Sequence, residues 1–86
     1  MNWEIHIVER ARKQLGKIQE KDRRYILLAL QEMRADPFSG DVVWLKNQPY
    51  SLRRRVGTWR ILFDIDTKIK LVVIGDVKRR TDNTYK

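Results

Sequence analysis

The apolar residues of this 86-residue chain repeat at two periods, and the main change between them divides the sequence. "WEIHIV" (3–8) opens with strict alternation: Trp3, Ile5 and Ile7 on one side, Glu4 and His6 on the other, which is the pattern of a half-buried strand. From Glu9 to Ala35 the spacing becomes helical. After Tyr50 it returns to strand-like runs, "YSLRRRV", "WRILFDI" and "IKLVVIGDV", parted by turn residues. The predicted order is β-α-α-β-β-β. Such an order specifies an α+β domain, a twisted and largely antiparallel sheet with a two-helix hairpin packed on one face. The length suits one domain over residues 1–86.

The helical half divides in two. Val8, Ala11, Leu15 and Ile18 form the apolar stripe of a first helix, which Gly16 weakens without having to end it. Asp22 is the expected N-cap of a second helix running to about Ala35, with Ile26, Leu27, Leu30 and Met33 as its apolar stripe. Pro37 disfavours helical geometry at Asp36 and stops it there. Cysteine is absent, so disulfides and thiolate metal sites are excluded and the apolar core must hold the fold alone. No apolar run is long enough to span a membrane and the start is not a signal peptide, so a cytoplasmic protein is expected.

"RRRVGTWR" (53–60) fixes the register of the β half and poses its main question. A glycine at the first central position of a two-residue turn suits type II′. With Gly57-Thr58 as that turn, Val56 faces Trp59, Arg55 faces Arg60, Arg54 faces Ile61, Arg53 faces Leu62 and Leu52 faces Phe63. Facing partners point the same way. Leu52, Val56, Trp59, Ile61 and Phe63 must then meet the helices. Arg54 shares that side and is expected near an edge with its head in solvent. Arg53, Arg55, Arg60 and Leu62 take the opposite, open side.

Like charges placed opposite each other cost up to about 1 kcal/mol. Either a carboxylate compensates, with Asp64 and Asp76 the nearest candidates, or an anionic ligand does. Guanidinium forks suit phosphate. The overall charge points the same way. Residues 1–45 carry eight Lys/Arg against seven Asp/Glu, whereas residues 46–86, beginning at Lys46, carry eleven against four. A field concentrated in one half attracts polyanions, nucleic acid first among them. The last strand, roughly Ile69–Gly75, is apolar on both faces, which suits a central strand and an open face covered at its middle, with arginines around the rim. Lys78, Arg79 and Arg80 leave that strand, and Tyr85 follows. A tail folded back over the open face would bring a guanidinium and a phenol there.

Other chemistry is sparse. His6 stands alone on an early strand, no set of metal ligands exists, no glycine loop resembles a P-loop, and Ser39 and Ser51 have no base partner. No cofactor is expected. Trp3, Trp44 and Trp59 read as packing residues.

Four segments in order resemble the RelE/ParE toxin superfamily: "ARKQLGKI", "ADPFSGDVVWLK", "RRRVGTWRILFDID" and the terminal "KRRTDNTYK". The resemblance covers nearly the whole chain. It implies a microbial RNase-like β-α-α-β-β-β fold and a type II toxin held inactive by a co-expressed antitoxin. RelE-like members cut mRNA in the ribosomal A site; ParE-like members inhibit DNA gyrase without cutting RNA. Carried over by position, Arg53, Arg60 and Tyr85 match the superfamily's active-site positions. Arg79 has the matching spacing to Tyr85, with Arg80 the alternative. Arg55 matches a common arginine of the same face. Lys46, Lys78 and Arg80 complete the expected phosphate-binding set. Ser51 falls where some relatives carry lysine, and no histidine stands near the C-terminus, which keeps the gyrase-directed branch and a non-cleaving RNA-binding relative open.

Arginine stays protonated, so it serves as a clamp on the scissile phosphate rather than as a proton shuttle. Arg53, Arg60 and Arg79 or Arg80 would hold the phosphate. Tyr85 would handle the 2′-OH proton or stack on a base, since nearby guanidinium groups favour a phenolate. The expected partners are mRNA on the ribosome and a short antitoxin that wraps the basic half with a partly acidic segment, covering the open face or displacing the tail.

Overall fold

Two helices and five strands build the chain in a computed structural model that describes residues 2–79. β1 (Glu4–Ile7) leads into α1 (Glu9–Gly16) and α2 (Glu20–Ala35), and then β2 (Asp41–Trp44), β3 (Leu52–Val56), β4 (Trp59–Asp66) and β5 (Leu71–Arg79) follow. The sheet order is β1-β5-β4-β3-β2. β1 runs parallel to β5 and every other pairing is antiparallel. This is the expected α+β architecture with one strand more than the sequence announced. That strand, β2, is only four residues long, too short to show a period. It forms because Gly40, at φ +80°, turns the chain so that Asp-Val-Val-Trp lies against β3.

The core lies between the helix pair and one face of the sheet. Ala11, Leu15, Ile26, Ala29, Leu30 and Met33 meet Leu52, Ile61, Phe63, Val72, Ile74 and Val77 there. Each large apolar side chain so buried contributes about 1.5–3 kcal/mol. The spacing 26, 29, 30, 33 is one face of a helix; Leu27, expected on that stripe, is about half exposed beside it. α2 begins at Glu20 with Gln19 as N-cap, three residues before the expected Asp22. Asp22 instead sits in the first turn, where its charge suits the helix dipole and its carboxylate accepts a hydrogen bond from Trp59 Nε1 at 3.2 Å.

β5 extends further than its apolar run. It continues through Arg79 because β4 is long enough to pair it from Trp59 onward. Lys78 and Arg79 are therefore strand residues with fixed sides rather than the start of a tail. Midway, a bulge sets Gly75 and Asp76 against Leu62, so the two residues share that partner. β1 ends at Ile7, and among the described residues no strand lies beside the rest of the β5 edge. α1 fills that gap: Gln14 Oε1 accepts the Val77 N–H at 2.7 Å and Gln14 Nε2 donates to Asp76 at 2.7 Å.

Candidate nucleic-acid interface

The β3–β4 turn sets the site. Gly57 has φ +59° and Thr58 has no positive φ, as a type II′ turn requires. The register counted from that turn is the one observed, with Arg55 opposite Arg60 and Arg53 opposite Leu62. Pairing with β2 and β5 extends each row across the sheet. Asp41, Arg55, Arg60 and Lys78 form one row; Val43, Arg53, Leu62 and Asp76 form the next. Three cations from three adjacent strands thus stand side by side on the open face.

Carboxylates neutralise the ends of this array and leave its centre. Asp41 accepts from Arg55 Nε at 2.9 Å and lies 3.7 Å from Arg53. Asp76, buried, lies 3.6 Å from Arg10 and 3.8 Å from Lys78. Among the described residues Asp64 pairs with no arginine; it accepts the Ser51 N–H. Arg60 has no ion pair with a carboxylate among the described residues, and its Nε is buried without a hydrogen-bond partner. A buried donor left unmade costs about 1–3 kcal/mol, a cost that an anionic oxygen would relieve. Arg60 is thus the guanidinium of this row that no carboxylate among the described residues engages.

The middle of the face is closed, as the apolar last strand suggested. Leu62 is buried. Tyr50, from the segment joining β2 and β3, lies against Gly75, where a Cβ would overlap its ring. Its Oη donates to the Gly75 carbonyl at 3.4 Å.

Several expected residues sit elsewhere. Arg54 does not reach solvent. It is buried on the helix side, donates to Glu32 of α2 and to Ser39 Oγ, and passes so close to Gly40 that a Cβ there would lie 2.6 Å from its Cζ. Burial between β3 and α2 draws it inward because Glu32 supplies the counter-charge. Arg79 pairs with Trp59 and so takes the helix-facing side; its guanidinium stacks 4.7 Å from the centre of the Trp59 ring. The structure thus brings together Arg53, Arg55, Arg60 and Lys78 but leaves Arg79 across the sheet. Lys46 is exposed in the segment joining β2 and β3. Arg80 and Tyr85 lie outside the described residues. Sequence reasoning missed Asp41, whose place opposite Arg55 follows only once β2 is known to be a strand. It also missed Arg10, which Asp76 draws to the margin, and Tyr50.

No protein-family profile and no curated protein sequence matches the chain. Solved structures do. The RelE–RelB complex of Pyrococcus horikoshii OT3 matches with TM-score 0.80 at 22% identity, over 93% of this chain and 97% of that one. The toxin–antitoxin complex RelBE2 of Mycobacterium tuberculosis matches with TM-score 0.79 at 23% identity, over 93% and 100%. The isolated E. coli RelE toxin matches with TM-score 0.79 at 17% identity, over 95% and 88%.

The chain has the RelE toxin fold.

The match spans nearly the full length of both partners, so the RelE-like fold accounts for the helix pair and the sheet together. On this RelE-like frame the open face carries the cationic rows, and the helix pair covers the other face.

Proposed function

We propose that this protein is the toxin of a toxin–antitoxin pair and an endoribonuclease that cuts mRNA on the ribosome, in the cytoplasm. The observation that carries the reading is the Arg55–Arg60–Lys78 row with a buried, unpartnered Nε at its centre. In the reaction the 2′-oxygen attacks the adjacent phosphorus and the 5′-oxygen leaves, giving a 2′,3′-cyclic phosphate and a free 5′-hydroxyl. Negative charge builds on the non-bridging oxygens, where Arg60, Arg53 and Lys78 would stabilise it. Tyr85 is the candidate for the 2′-OH proton. Arginine and lysine are poor proton shuttles at neutral pH, so the site gains from a ribosome that holds the nucleotide in line. The fold's RelB-bound neighbours support a protein antitoxin, whose acidic groups would suit the cationic face.

Asp41, which already engages two of the arginines, favours a second reading: a toxin that blocks DNA gyrase by protein contact and leaves RNA intact. The test is to add the purified protein to translating ribosomes and map the mRNA ends. Cuts at A-site codons are expected, and they should disappear in Arg60→Ala. Intact message together with blocked gyrase supercoiling would transfer the assignment to the second reading.

A further inference from the structure

The proposed reaction leaves one feature of the open face unused: an aromatic ring set among the cations. The bulge in β5 explains its position. Val72, Ile74 and Val77 supply the strand's helix-facing side and are fully or almost fully buried there. Gly75 and Asp76 both oppose Leu62, so the missing side chain of Gly75 is directed to the open side. Tyr50 occupies that space, its ring seated where any Cβ would overlap it and its Oη donating to the Gly75 carbonyl. The ring is held from below by glycine backbone and pinned at its tip, yet the residue is only half-buried.

We infer that Tyr50 is the stacking platform for a nucleobase of the bound RNA; this rests on the RNA-cleaving reading above. The row holding Leu62 and Asp76 lies two residues along the strands from the row of Arg60 and Lys78, about 6.6 Å away. That is the scale of one nucleotide, with phosphate on the cations and base over the ring. A half-buried ring seated on Gly75, in the strand region next to the cationic row, is a surface on which any base can stack. A base inside a duplex cannot reach it, so the ligand class is an unstacked, single-stranded nucleotide. Gly75 sets the height of the platform, because a side chain there would lift the ring away from the sheet.

The probe is a short single-stranded oligoribonucleotide carrying 2-aminopurine, whose fluorescence falls when it stacks, and a 5′ dye for anisotropy. The full chain should bind it with quenching. Tyr50→Leu should abolish most of the quenching and weaken binding about 5- to 100-fold. Tyr50→Phe should stay close to wild type in both. Where Tyr50→Leu does not fold, the wild-type protein decides through NMR, by an upfield shift of the Tyr50 ring protons and a cross-peak to the base. Binding without quenching, quenching unchanged in the folded leucine variant, or no contact between ring and base would each overturn the platform while leaving the RNA reading intact. Failure of the wild type to bind the oligonucleotide while ribosome-bound message is still cut would overturn the platform alone; failure to bind together with intact message on translating ribosomes would overturn the RNA reading and, with it, this one.

Discussion

The Asp41 carboxylate accepts a hydrogen bond from Arg55 Nε at 2.9 Å across the β2–β3 pair, and its other oxygen lies 3.7 Å from Arg53. An internal anion thus holds two of the cations that a phosphate would use. Both partners of the Arg55 pair are substantially exposed, so the pair is worth about 0.2–1 kcal/mol. Asp41→Asn should therefore raise affinity for single-stranded RNA about two- to fivefold at low salt. Fluorescence anisotropy over a salt series checks this; weaker binding would show that Asp41 orients the arginines rather than competing for them.

Arg60 should behave differently, because no carboxylate among the described residues neutralises it. Arg60→Ala should cost about 10²–10³ in cleavage, the scale of losing one preorganised donor to a developing oxyanion. It should also lower the slope of log affinity against log salt by about one. Folding stability should fall little or rise, since the substitution relieves like-charge neighbours on both sides. Single-turnover cleavage, RNA titrations and urea melts read the three effects separately.

Arg79 provides the contrast. It stacks on Trp59 on the far side of the sheet. Arg79→Ala should reduce cleavage much less than Arg60→Ala, and should change the intrinsic fluorescence of the Trp59 environment. Equal losses in the two variants would return Arg79 to the active set.

The buried Arg54 is a structural device. Its head joins β3 to α2 through Glu32 and to the loop at Ser39. Glu32→Ala should destabilise by about 1–3 kcal/mol, because it strips the partner from a buried guanidinium. Arg54→Met should cost less than that, since an apolar residue of similar length leaves no charge to satisfy. Denaturant midpoints at constant m-value test the order.

Gly75→Ala should cost about 1–3 kcal/mol through overpacking against Tyr50. The penalty should shrink when Tyr50→Ala is added, and a double-mutant cycle measures that coupling.

Much of this was legible from spacing alone. Gly57-Thr58 pinned the register that places Arg55 beside Arg60, because a two-residue turn leaves no freedom to slip. The helix stripe and the buried last strand followed from periodicity. Three things were not legible, for separate reasons. β2 is too short to show a period, so Asp41 could not be placed. The side taken by Arg79 depends on how far β4 carries β5 past its apolar run, which pairing decides and local pattern does not. The burial of Arg54 needed Glu32, distant in sequence and on another element. The sequence-level likeness reached the fold but not these three positions.

β5 lies between β1 and β4, so the earliest strand and the middle of the sheet are joined only through the latest strand described. A growing polypeptide that has not yet exposed Leu71–Arg79 has β1 with nothing to pair against, a core without Val72, Ile74 and Val77, and Arg60 without its neighbour Lys78. The row of Arg55, Arg60 and Lys78 is therefore complete only once β5 is in place.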